Sequence, residues 1–164
     1  MINKEYFNGE ILIPNLFSLG SGASAFVSKA NEDLLIWFIQ KYEKMFLIKL
    51  LGVKMYNEFV IAPDLDLKSK LIDDVSRQSP IAYYVYYWFV RNRITETVGI
   101  GEIQGQSDNS TVVSPSEKMI KAWNNMVDDV NNIVYWIKCN KCDYPSFSPD
   151  LSSDIFFKIN TLGI

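Results

Sequence analysis

At 164 residues, 48% of them apolar, the chain is long enough to bury one core and too short for two comfortable domains. With 21% charged residues, a net charge of −3 and two Cys, it fits neither a disordered chain nor a disulfide scaffold, and its slight acidity argues against a surface that grips phosphates. No His occurs, which removes the commonest neutral-pH base, the Ser/His and Cys/His pairings and any His-based metal site.

The first residues show no basic region followed by an apolar run, and the longest apolar run, Ile81 to Val90, is about half of the roughly 20 residues a spanning helix needs. A soluble protein without a membrane association is therefore expected. Residues 1–30 read as an extended N-terminal arm. Glu10-Ile11-Leu12-Ile13 is its strand candidate, stopped by Pro14, and a Gly/Ser-rich connection follows from Ser18 to Ser24.

A helical bundle is predicted over 31–138. Asn31 serves as N-cap, Glu32 and Asp33 suit the positive end of the dipole, and Leu35, Phe38, Ile39, Tyr42, Met45, Phe46 and Leu50 recur at helical spacing. Gly52 marks a bend, Lys54 to Val60 a short helix, and Leu67 to Val75 another. Ser79-Pro80 starts a helix to about Thr97, capped by Ser with Pro at its first position. Its run from Tyr83 to Val90 has no polar break, so the helix is either central in its bundle or shared with a neighbouring subunit.

Residues 98–113 read as an extended polar loop containing Gly99, Gly101 and Gly105, with Thr111 to Val113 as a short strand. Ser114-Pro115-Ser116-Glu117 is a capping box. Behind it Met119, Trp123, Met126, Val130, Ile133 and Ile137 form a narrow apolar seam on a second long helix to about Lys138. An extended tail, 139–164, carries Ile155-Phe156-Phe157-Lys158-Ile159 as a strand without an evident partner. The expected fold is thus a single domain, mainly α: a small helical bundle with two long helices, a loop between them and short β-strand arms at the termini.

Candidate chemistry is thin. Cys139-Asn140-Lys141-Cys142 has redox spacing but sits at a helix C-terminus, where the dipole disfavours a thiolate, and zinc would need two further ligands. The glycines at 99, 101 and 105 follow a helix instead of a strand and miss the dinucleotide spacing. Asp73-Asp74 and Asp128-Asp129 are adjacent pairs that face different directions on a helix, and Asp64 and Asp66 likewise read as solvated carboxylates. No catalytic, cofactor-binding or metal-binding residue is expected.

Tyr42, Leu50-Leu51-Gly52 with Tyr56 and Phe59, Ser79-Pro80-Ile81-Ala82-Tyr83-Tyr84-Val85-Tyr86-Tyr87, and Ala122-Trp123-Asn124 follow one another in an order that resembles head-to-tail connector (adaptor) proteins of tailed phages infecting Bacteroidota, including the ring proteins of crAss-like phages. The resemblance covers about residues 31–138. It implies a virion structural protein, made in the host cytoplasm and placed in the neck between capsid and tail. Such a subunit forms a homo-oligomeric ring, commonly dodecameric, that docks on the portal protein and presents a platform to the next tail or neck ring protein. DNA passes through the lumen without being specifically bound.

On that footing Tyr84, Tyr87, Trp88 and Arg91 are expected to make lateral contacts, the aromatic residues because these are enriched at interface cores. The axial contacts are expected from the loop, with Gly99, Gly101, Gly105 and Val112, and from the terminal segment, with Phe156, Phe157 and Ile159. Two other classes remain open: a small helical regulatory protein-binding module and a CxxC thiol oxidoreductase.

Overall fold

The computed structural model describes residues 1–14, 16, 23–98, 101–104 and 115–160, with the backbone alone at 23–27, 94–98, 101–104 and 115–116. Among them the chain is mainly helical: α1 Ala23–Leu51, α2 Val53–Ile61, α3 Leu65–Leu71, α4 Pro80–Ile94 and α5 Pro115–Cys139. The longest is α1, with 29 residues against 25 in α5 and 15 in α4, so the two long helices are α1 and α5 and not the pair expected on either side of the loop.

α1 begins eight residues before Asn31, the expected cap. Ala23 and Ala30 are strong helix formers, and a helix already under way carries Asn31 along. Asn31 Oδ1 instead accepts from Arg93 Nη1 at 3.0 Å, tying α1 to the far end of α4. At the other end of α1 the bend is where Gly52 predicts it. Gly52 adopts φ 81° and ψ 157°, a region open essentially to glycine, and a Cβ there would collide with the Ser148 carbonyl oxygen.

Asp64 caps α3, its Oδ1 accepting from Leu67 N at 2.7 Å. The helix stops at Leu71 and not at Val75, because Asp73 draws Val75 N and the Ser76 N and Oγ onto its carboxylate and Arg77 turns the chain at φ 55°. Ser79 then caps α4 as expected. Its Oγ accepts from Ile81 N at 3.1 Å and donates to the Leu71 carbonyl at 2.8 Å, so one hydroxyl closes one helix and opens the next.

α4 lies between α1 and α5. Phe89 meets Phe38 edge-on at 5.5 Å, Trp88 stacks on Tyr42 at 5.4 Å, and Tyr87 approaches Trp123 of α5 at 4.5 Å. A helix flanked on two sides needs apolar residues all round, which accounts for the unbroken aromatic run within one copy. The seam on α5 faces this core, with Trp123, Met126, Val130, Ile133 and Ile137 all buried.

α4 ends at Ile94, three residues before the expected stop. Its continuation, β1 Thr95–Val98, pairs antiparallel with β2 Gly101–Gln104, so part of the expected loop is a two-stranded ribbon. Thr111 to Val113 and the Ser114 cap lie outside the described residues.

Among the described residues neither terminal arm forms a strand. Glu10 and Ile11 belong to a 3-10 turn over Gly9–Ile11, opened by Gly9 at φ 54°, and Ile2, Tyr6, Phe7, Ile11, Ile13 and Leu16 are buried in the chain's own core. At the other end Asp154–Phe156 is a further 3-10 turn with Ile155 buried. The tail before it docks on the end of α1, where Ser148 N donates to the Leu51 carbonyl at 3.2 Å and Asp150 N to that of Lys49 at 3.1 Å. These bonds satisfy carbonyls that a helix end leaves open.

Candidate interaction surfaces

Of the four residues expected to make lateral contacts, Tyr84 has no surface to offer. It is fully buried among Tyr42, Phe46, Trp88 and Trp123, and burial raises its phenol pKa against the opposing charge of Lys49. Its hydroxyl and the Trp88 indole N–H are buried without a hydrogen-bond partner of good geometry, a cost that only close packing offsets. Tyr87 and Trp88 are half-buried, and Arg91 is exposed beside them. Its guanidinium lies 5.3 Å from the Trp88 ring and donates to Tyr87 Oη at 3.2 Å.

The tail residues are occupied as well. Asn124 holds the Ile159 backbone with both ends of its amide, Nδ2 donating to the carbonyl and Oδ1 accepting from the N–H, each at 3.0 Å. Trp123 Nε1 donates to the Phe157 carbonyl at 2.9 Å, and Lys158 pairs with Asp128 at 2.7 Å. Phe156 and Ile159 thereby pack on the core while Phe157 stays more than half exposed. Gly101 opens β2; Gly99, Gly105 and Val112 lie outside the described residues.

The exposed apolar surface is elsewhere. On α1, Leu34, Trp37 and Met45 share one solvent face at helical spacing, with Lys41 Nζ lying 4.8 Å from the Trp37 ring. At the corner between α2 and α3, Ile61 is 84% and Leu65 77% exposed, next to Val60. Sequence reasoning missed the α1 stripe: it sets Met45 in the core series, whereas Met45 is exposed, and gives Leu34 and Trp37 no part. The corner was missed too, because Ile61 and Leu65 flank Pro63 and fall in no repeating pattern.

Between α1 and α2 runs a groove of about 450 Å³. Gln40, Glu43, Lys44 and Leu47 form one wall, Tyr56, Phe59 and Val60 the other, with Met1, Pro63 and Lys68 at its edges. Sequence reasoning missed it since its walls stand on two adjacent helices whose mutual angle no local pattern sets. The Gly52 bend between two apolar helices was the one hint that such walls could face each other.

Between α3, the start of α4 and α5 a cavity of about 310 Å³ is lined by Asp129, Lys70, Asp73, Ser79, Asn132 and Trp136. Burial, and then the neighbouring Asp128, push the Asp129 carboxyl from 3.8 to about 6. No His, Cys, Asp or Glu cluster among the described residues is placed to hold a metal, and no described helix is long and apolar enough to cross a membrane. Cys139 and Cys142 are both free and exposed at the C-terminal end of α5.

No protein-family model matches the chain, and no curated protein or solved structure matches it either. The geometry itself, with an inner aromatic helix, pinned termini and apolar patches left on α1 and the α2–α3 corner, is what bears on function.

Proposed function

We propose that the protein is a virion structural subunit, a ring-forming head-to-tail adaptor that docks on the portal and links capsid to tail, acting by assembly and not by bond chemistry. The observation that carries this reading is the exposed apolar surface that survives after the core is filled. Trp37 on α1 and Ile61 and Leu65 at the α2–α3 corner belong to different patches, and two unlike patches are what head-to-tail contacts use. A closed rotation of such contacts gives a ring.

The portal and the neck position rest on the resemblance in Tyr42, Leu50-Leu51-Gly52, the Ser79-Pro80 helix and Ala122-Trp123-Asn124. Several of these residues have structural duties: Tyr42 stacks on Trp88, Gly52 admits the tail, Ser79 caps α4 and Asn124 clamps Ile159. Lateral contacts are reassigned from buried Tyr84 to the α1 stripe and the α2–α3 corner. Tyr87, Trp88 and Arg91 contribute at the end of α4, and Phe157 makes the axial contacts. A net charge of −3 suits a lumen through which DNA slides without sticking.

Native mass measurement of the full chain mixed with its portal tests the reading. A closed oligomer on the portal is the expected result; a chain that stays monomeric and ignores the portal overturns it. Replacing Trp37 and Ile61 by Glu should abolish the oligomer while leaving the helical signal intact.

A further inference from the structure

The groove between α1 and α2 is unevenly charged. Its one acid, Glu43, is saturated from within, its carboxylate accepting from the Met1 amino group at 2.8 Å and from Ile2 N at 3.0 Å. Lys44 and Lys68, on the same groove, have no ion pair among the described residues. An occupant that is apolar and acidic is therefore what this surface fits, with Leu47, Tyr56 and Phe59 to bury the one part and two free ammonium groups to meet the other.

The chain carries such a segment. Residues 95–114 hold Glu96, Glu102 and Asp108 with no Lys or Arg, interleaved with Val98, Ile100, Ile103, Val112 and Val113. The ribbon at its start packs to any extent only on α4, the helix it continues. Two strands alone make a marginal structure in water, and their outer edges present unpaired backbone groups. The ribbon also springs from the end of α4 near Asn31, whereas the groove lies at Gln40 to Leu47. α4 rests on the Phe38 and Tyr42 side of α1; Gln40 and Lys44, two residues on from each, point away from it. Donor and acceptor thus sit on different faces of one copy, as a head-to-tail contact requires.

We propose that the acidic segment 95–114 of one copy lies in the α1–α2 groove of a second copy, with Lys44 and Lys68 meeting its carboxylates. The inference rests on the ring reading for its head-to-tail sense.

The test places p-benzoylphenylalanine at Val60, exposed on the groove wall, in the full chain, and irradiates a mixture of isotopically light and heavy copies. Adducts between copies that map to 95–114 are expected. Their yield should fall about tenfold in Lys44→Glu/Lys68→Glu and return when that variant is mixed with Glu96→Lys/Glu102→Lys. Adducts mapping elsewhere, adducts only within one chain, a yield indifferent to charge reversal, or no adduct up to about 1 mM protein would each overturn the proposal. Portal binding is read separately. A normal portal-bound ring from Lys44→Glu/Lys68→Glu defeats the groove contact alone, while charge-sensitive adducts from a chain that ignores the portal defeat the ring reading alone.

Discussion

The two ends of the chain are held in opposite ways. Residues 1–16 are anchored by side chains: Ile2, Tyr6, Phe7, Ile11, Ile13 and Leu16 all enter the core, and polar pins such as Lys4–Glu32 and Lys121–Glu10 only trim the edges. Residues 144–160 bury only Ile155 fully among their large side chains, with Tyr144, Phe147, Phe156 and Ile159 partly buried against the core, and are hung by their backbone from the carbonyls of α1 and the side chains of Trp123 and Asn124. An apolar anchor loses strength in proportion to area removed, whereas a backbone strap depends on a few geometries being met at once.

Breaking the anchor should have the largest effect. Phe7→Ala deletes a fully buried ring and is expected to cost about 3–5 kcal/mol in denaturant unfolding, with the whole bundle destabilised. Gly52→Ala attacks the strap at its root. A Cβ at φ 81° meets the Ser148 carbonyl, and a loss of about 3 kcal/mol is expected, visible as faster hydrogen exchange at Ser148 and Asp150 before Phe7 is affected. If both amides keep their protection, the tail is not held as described.

Asn124→Ala removes two hydrogen bonds to Ile159 while sparing the core, so about 2 kcal/mol and early proteolysis near Phe157 are expected. A tail that resists cleavage as well as the parent would show that Trp123 suffices.

Two carboxylates respond to pH in opposite senses. Asp129 on α5 has its pKa raised in the fold, from 3.8 to about 6, so its contribution is fully present below 3.8 and is lost as pH rises through about 6. Asp129→Asn should then gain about 1–2 kcal/mol at pH 7, allowing for solvent screening of a half-buried group, and show a flatter stability profile over that window. Glu10 behaves oppositely. The hydrogen bond from Lys121 lowers its pKa below 4.5, so its small contribution is present above 4.5 and is lost as pH falls further. Glu10→Gln should leave stability near pH 7 little changed, and the expected difference is confined to how steeply the protein acid-denatures.

Helices with strong local signals were legible. Ser79-Pro80 announced α4, and the period of Met119 to Ile137 announced both α5 and its buried face. The first turns of α1 were hidden because a good capping residue, Asn31, lies inside the helix, where a contact with Arg93 employs it instead. Ile11 to Ile13 imitated a strand since a short apolar run has no period of its own, and Gly9 settled it as a turn. The aromatic run of α4 allowed two readings, central or shared, and local sequence cannot count a helix's neighbours. Tyr84 was accordingly misplaced at an interface. The tail strap was invisible for a different reason: its donors and acceptors are mostly backbone, which every residue carries.

The layer order α1–α4–α5 sets the route by which the chain must fold. α4 reaches α1 only across the whole of α2 and α3, and reaches α5 only across the 95–114 segment, so both main contacts close long loops before they gain any packing. During synthesis from the N-terminus, Phe38 and Tyr42 can meet Phe89 and Trp88 while α5 is still unmade. Until Trp123 arrives, Tyr87 and its side of α4 stand open to water and to other chains, which makes the interval before α5 emerges the period of greatest exposure to aggregation.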